Sequence, residues 1–97
     1  MNTIEPQQIK ERINQGEALV IIDVREDEEV AAGMIPGALH IPLGQLPERH
    51  GEIPDGPEVI LVCRSGNRSG RAYEYLTAIG KSGLKNMTGG MLAWEQL

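Results

Sequence analysis

The chain has 97 residues, 40% of them hydrophobic and 24% charged, with a formal net charge of −5. That length makes one domain, residues 1–97, able to bury roughly two-thirds of its unfolded surface, and the acidic balance argues against nucleic acid, whose phosphates it would repel. One cysteine cannot form an internal disulfide, one cysteine with two histidines is a poor metal set, and no apolar run approaches the roughly twenty residues that span a bilayer. Met1-Asn2-Thr3-Ile4-Glu5-Pro6 has neither a basic nor an apolar signal-peptide region, so a reducing cytoplasm is the expected location. Phe is absent, which leaves Ile, Leu, Val, Ala and Met to build the core.

Residues 2–4 suit a short edge strand. Pro6 suits the first position of a helix over 6–15, with Ile9 and Ile13 one turn apart on one face and Gly16 at its end. Leu19-Val20-Ile21-Ile22 is a continuous apolar run, the pattern of a parallel strand covered on both faces. Asp23-Val24-Arg25 closes it with charges at the carboxyl end, where open α/β sheets place functional loops. Glu26-Asp27-Glu28-Glu29 then opens a short helix ending near Gly33, its acids suiting the helix dipole and read as a solvated start. Ile35-Pro36-Gly37-Ala38 is a turn signal, Leu39-His40-Ile41 a short strand stopped by Pro42. Residues 43–57, rich in proline and glycine, predict a loop with one helical turn near Leu46–Arg49. Val59-Ile60-Leu61-Val62 is a second buried strand, and Ala72–Ile79 has helical periodicity. Leu84-Lys85-Asn86-Met87 is a final strand, and Gly89-Gly90 leads into a helix over Met91–Glu95. Strands alternating with short helices predict an α/β fold with a mainly parallel sheet.

Between the second buried strand and the helix after it lies Cys63-Arg64-Ser65-Gly66-Asn67-Arg68-Ser69-Gly70-Arg71. A strand, a tight polar turn and a helix in that order aim backbone N–H groups at the sulfur, and the helix N-terminus adds partial positive charge. Three arginines and no acid fall in these nine residues. A thiol in that field ionises more readily than a free one, and the thiolate is the nucleophile. Cys63 is therefore the candidate nucleophile. Gly66 permits tight curvature and Asn67 tolerates left-handed backbone. Arg64 and Arg68 offer permanent charge and planar forks for an anion, and Ser65 and Ser69 offer hydroxyls, with a helix cap as the other role for Ser69. Arg71 lies inside the helix and reads as structural. His40 and His50 sit outside all these motifs.

The chain resembles the rhodanese family of sulfurtransferases in its single-domain form. Four separated pieces carry the resemblance: the loop Cys63 to Ser69, Asp23-Val24-Arg25 with Glu29 and Gly33, Ile35-Pro36-Gly37-Ala38, and Gly89-Gly90-Met91-Leu92-Ala93-Trp94. Met34 and Val30 depart from the family pattern, which commonly has His and an aromatic there. The resemblance implies a rhodanese-like three-layer fold, a mainly parallel five-stranded sheet with helices on both faces. It implies that Cys63 takes the outer sulfur of thiosulfate or a similar small anionic donor, forms a persulfide, and passes the sulfur to cyanide or a thiol, with Asp23 and Arg25 bracing the site. No metal, no cofactor, no nucleic acid and no membrane partner are expected.

Three other readings compete. A cysteine phosphatase or arsenate reductase would use the same cradle, but that class places His before the cysteine and Arg six positions after it. Here Val62 and Ser69 occupy those places and Arg68 comes one residue early. A non-catalytic rhodanese-like module would be marked by loss of the cysteine, which is present. A persulfide carrier that docks on a partner protein needs the same loop as a free-standing enzyme.

Overall fold

A computed structural model describes residues 1–97, and its framework is five strands in one sheet. In chain order these are β1 (Thr3–Ile4), β2 (Ile21–Asp23), β3 (Leu39–His40), β4 (Val59–Val62) and β5 (Leu84–Met87), arranged β1-β5-β4-β2-β3 with every pairing parallel. The helices are α1 (Pro6–Asn14), α2 (Asp27–Val30), α3 (Leu46–Arg49), α4 (Asn67–Ala78) and α5 (Gly90–Trp94). No helix is long and apolar enough to cross a membrane.

The alternation of side chains along a strand divides the core in two. Leu61 and Cys63 point to the face covered by Leu46 of α3 and Ala72 and Leu76 of α4. Ile60 and Val62 point to the opposite face, against Ile9 of α1 and Met91 of α5. Both faces are dry, which is why β4 reads as an unbroken apolar run rather than an alternating one. The result is the three-layer α/β architecture expected, with the sheet wholly parallel.

Several boundaries differ from the sequence reading, each for a local reason. The strand expected from Leu19 begins at Ile21 and takes in Asp23. The helix expected to run to Gly33 ends at Val30 in a turn. The segment after Pro42 is more helical than expected, because 3₁₀ turns at Leu43–Gln45 and His50–Glu52 flank α3. Glu5, a poor N-cap by type, is compensated at its backbone: Glu5 N–H donates to Gln8 Oε1 at 2.9 Å.

The largest difference is at α4, which starts at Asn67 rather than Ala72. Gly66 makes this possible by capping the helix at φ +104°, a left-handed turn that side chains disfavour. Asn67, Arg68 and Ser69 are thus the first helical turn. No residue other than glycine has positive φ, so Asn67 is helical and not left-handed.

Candidate active site

β4 is the central strand, and the strand order reverses between it and β2, so the loops after these two strands flank one crevice at the carboxyl end of the sheet. Val24 N–H extends the ladder past β2, donating to Val62 C=O at 2.9 Å. Cys63 follows directly, its side chain packed in the core beneath α4 and only 1% exposed.

The sulfur sits inside the turn that leads into α4. Gly66 N–H donates to Cys63 Sγ at 3.0 Å, and Ser69 Oγ lies 3.3 Å from it. Burial pushes the thiol up. Against burial, hydrogen bonds from the Ser69 hydroxyl and from the backbone N–H groups of Ser69, Gly66 and Ser65 together prevail, and the thiol is held below its ordinary value. No arginine hydrogen-bonds to the sulfur, although the Arg68 charge interacts with it through space. Backbone donors and one hydroxyl make the thiolate cheap here.

The turn is locked from the far side by α5. Met91 N–H donates to Cys63 C=O at 2.8 Å and Leu92 N–H to Arg64 C=O at 3.0 Å, so this short helix spends its free N–H groups on the loop backbone. Gly90, at φ +59°, lies so close that a Cβ would stand 2.4 Å from Arg64 C and O and 2.6 Å from Cys63 O. Gly90→Ala is therefore expected to cost about 2–4 kcal/mol, from left-handed strain plus overlap with backbone that cannot yield. Denaturant unfolding checks the cost, and thiol titration should show Cys63 returning toward an ordinary value as the loop is displaced.

Of the two candidate anion-binding arginines, the structure separates one from the other. Arg64 is exposed and belongs to none of the ion pairs. Arg68 is committed: its two terminal nitrogens meet the Glu29 carboxylate at 2.6 and 2.7 Å, a planar bidentate pair. The Arg68 hydrogen bonds hold Glu29 down to about 2. Its contribution to stability is present above the ordinary carboxylate range and is lost as pH falls toward that value. Glu29 thus departs from the solvated reading of the acidic run, whereas Glu26, Asp27 and Glu28 remain exposed.

Asp23 and Arg25 form a buried pair at the end of β2, with Arg25 Nη2 to Asp23 Oδ2 at 2.8 Å and Arg25 Nε to Asp23 Oδ1 at 3.0 Å. Arg25 also donates to the carbonyls of Gly33, at 2.7 Å, and Glu29, at 3.4 Å. The pair therefore fixes α2, and α2 presents the carboxylate that holds Arg68 on α4. His40 is satisfied nearby, its Nε2–H donating to Arg25 C=O at 2.7 Å. Ser65 and Asn67 are exposed on the loop, while Arg71 is exposed on α4.

Asn86 escaped the sequence reading of the site. It is 8% exposed on β5, donates from Nδ2 to Gly66 C=O at 3.1 Å, and accepts a short hydrogen bond from Ser69 Oγ. The available signal was a polar side chain two positions after Leu84, on a strand face that ought to be buried.

A sulfur in a nest of N–H groups at the carboxyl end of a parallel sheet, within a three-layer α/β fold, agrees with a rhodanese-like domain. The family model described as Rhodanese-like domain matches residues 5–97, and the chain belongs to that family. It is 48% identical over 87 residues to YtwF of Bacillus subtilis, a candidate sulfurtransferase, covering 90% of this chain and 84% of that protein. It is 38% identical over 96 residues to a sulfurtransferase of Allochromatium vinosum, covering 99% and 90%. Among solved structures, a rhodanese-like domain protein from Staphylococcus aureus superposes with a TM-score of 0.85 at 36% identity, covering 97% of this chain and 91% of that one. These relatives support sulfurtransferase chemistry as a class, and they name no donor and no acceptor.

Proposed function

We propose that Cys63 takes the outer sulfur of thiosulfate, or of a similar small donor, and passes it to a thiol or to cyanide. The observation that carries this reading is the sulfur held by Gly66 N–H at 3.0 Å in a turn whose N–H groups lower its pKa. In the first step the thiolate attacks the outer sulfur of thiosulfate. A new S–S bond forms, the donor's own S–S bond breaks, and its electron pair leaves with sulfite. Cys63 is left as a persulfide anion, stabilised by the N–H groups as an oxyanion is in other enzymes. The acceptor then attacks the outer sulfur and restores the thiolate. A free thiol nucleophile suits a reducing compartment such as the cytoplasm.

None of the four surface cavities is lined by any residue from Cys63 to Arg71, so the donor is received at the open loop surface rather than in a preformed cavity. Arg64 is the free cation of the loop and is assigned to attract the donor. Arg64→Ala is expected to raise KM for thiosulfate roughly tenfold, the loss of one charge-assisted hydrogen bond. Arg68→Ala should change KM less and lower the unfolding temperature instead, since it strips Glu29 of its partner. A larger KM effect at Arg68 would reverse the assignment.

The test of the function is turnover with thiosulfate and cyanide, read as thiocyanate release, beside arsenate and a phosphate ester. Thiocyanate release with no phosphate hydrolysis is the expected result. Hydrolysis of the ester without thiocyanate would move the chain to the cysteine phosphatases.

A further inference from the structure

The hydrogen bonds around Ser69 do not close with a single arrangement of protons. Ser69 Oγ has one proton and two neighbours that can receive it, Asn86 Oδ1 and Cys63 Sγ. The orientation of the Asn86 amide is not free. Its other end faces Gly66 C=O at 3.1 Å, which can only accept, so Nδ2 lies there and Oδ1 faces the hydroxyl. Ser69 is 0% exposed, so bulk solvent does not reach the hydroxyl.

Two states follow. With Cys63 protonated, the thiol donates to Ser69 Oγ and the hydroxyl donates to Asn86, so every group is satisfied. With Cys63 ionised, the thiolate needs the hydroxyl proton, and Asn86 Oδ1 loses its donor. We propose that Asn86 is a positioning residue for the Cys63 nucleophile, its Oδ1 taking the single hydroxyl proton of Ser69 while the sulfur is protonated and releasing it when the sulfur ionises. The thiol proton leaves to solvent, and the hydroxyl proton only turns between two acceptors. The consequence for sulfur transfer rests on the function proposed above. Once a second sulfur is attached, Sγ is no longer the anion, the hydroxyl returns to Asn86, and loading is favoured over the bare thiolate.

The charged groups around the sulfur are Arg64 and Arg68 from the loop and α4, Glu29 from α2, and Asp23 with Arg25 at the end of β2. None of them hydrogen-bonds to Ser69 or Asn86 through its side chain. Asn86 reaches the sulfur by the Ser69 hydroxyl and by Gly66, whose C=O it holds and whose N–H donates to Sγ, and the Ser69→Ala background separates the two routes.

Asn86→Leu removes the competing acceptor at similar volume, and Gly66 C=O keeps the Gly70 N–H at 3.1 Å. Thiolate absorbance against pH should show the Cys63 pKa falling by roughly 0.4–1 unit, the size of one net hydrogen bond. Ser69→Ala should raise it, and in the Ser69→Ala background Asn86→Leu should no longer move it. A purely structural Asn86 would shift both backgrounds alike. Should the leucine variant not fold, the side-chain amide resonances of Asn86 in the parent protein decide: they should titrate with Cys63 and go flat in Ser69→Ala. No fall in pKa with leucine, an equal fall without Ser69, or an Asn86 titration unchanged by Ser69→Ala overturns the proposal. No sulfur donor is present in these titrations, so their failure is distinct from failure of sulfur transfer.

Discussion

Cys63→Ala is expected to abolish thiocyanate formation from thiosulfate, a loss of roughly 10³-fold or more, because the covalent route disappears with the nucleophile. The fold cannot account for such a loss. Alanine keeps the Cβ in the core beneath α4, and a small deletion there costs on the order of 1 kcal/mol. In the parent protein the rate should follow the thiolate fraction, rising with pH with its midpoint below the pKa of about 8.5 of a free cysteine. The direction comes from the lowered Cys63 pKa, in which hydrogen bonds outweigh burial. A rate profile with its midpoint at or above that of a free thiol would contradict the cradle as described. So would substantial turnover by the alanine variant.

Asp23→Ala is expected to be the most destabilising change of a single side chain near the site. It would leave the Arg25 guanidinium, 6% exposed, with only the carbonyls of Gly33 and Glu29 as partners. Breaking one side of a buried pair costs about 3–5 kcal/mol, against a total stability of about 5–15 kcal/mol for a domain. For a chain of this length the midpoint of thermal unfolding should fall by at least about 12 °C. Replacing both partners, as in Asp23→Leu with Arg25→Met, should recover part of the loss because no charge is then stranded. A single variant within about 1 kcal/mol of the parent would show that water or another group compensates Arg25.

The path from this pair to the sulfur is continuous. Arg25 holds the carbonyls of Glu29 in α2 and of Gly33 just beyond it, α2 presents the Glu29 carboxylate, and Glu29 holds Arg68 on the first turn of α4. That turn also carries Ser69. The hydrogen bonds of Asp23 and Arg25 reach α2 and none reaches Cys63.

What the sequence disclosed follows from the range of the interactions involved. Val59 to Val62 reads as a buried strand because both faces of β4 are covered, and Cys63 reads as its functional end because a polar glycine turn follows at once. These are local patterns. The commitment of Arg68 was hidden because its partner lies 39 residues earlier, and only the β2–β4 register brings α2 beside α4. Asn86 was hidden for the same reason, 17 residues from Ser69 and joined to it by the β4–β5 pairing. The early start of α4 was masked by chemistry rather than distance. Asn67, Arg68 and Ser69 carry no apolar periodicity, so the first turn of the helix is legible only once Gly66 is known to cap it.

The measurement that tests the central claim most directly is the intact mass of the parent and Cys63→Ala proteins after thiosulfate treatment and desalting, without reductant. The account predicts a gain of one sulfur atom on the parent alone, removed by cyanide with release of thiocyanate. A folded parent protein that gains no sulfur, or an alanine variant that gains as much, would contradict it.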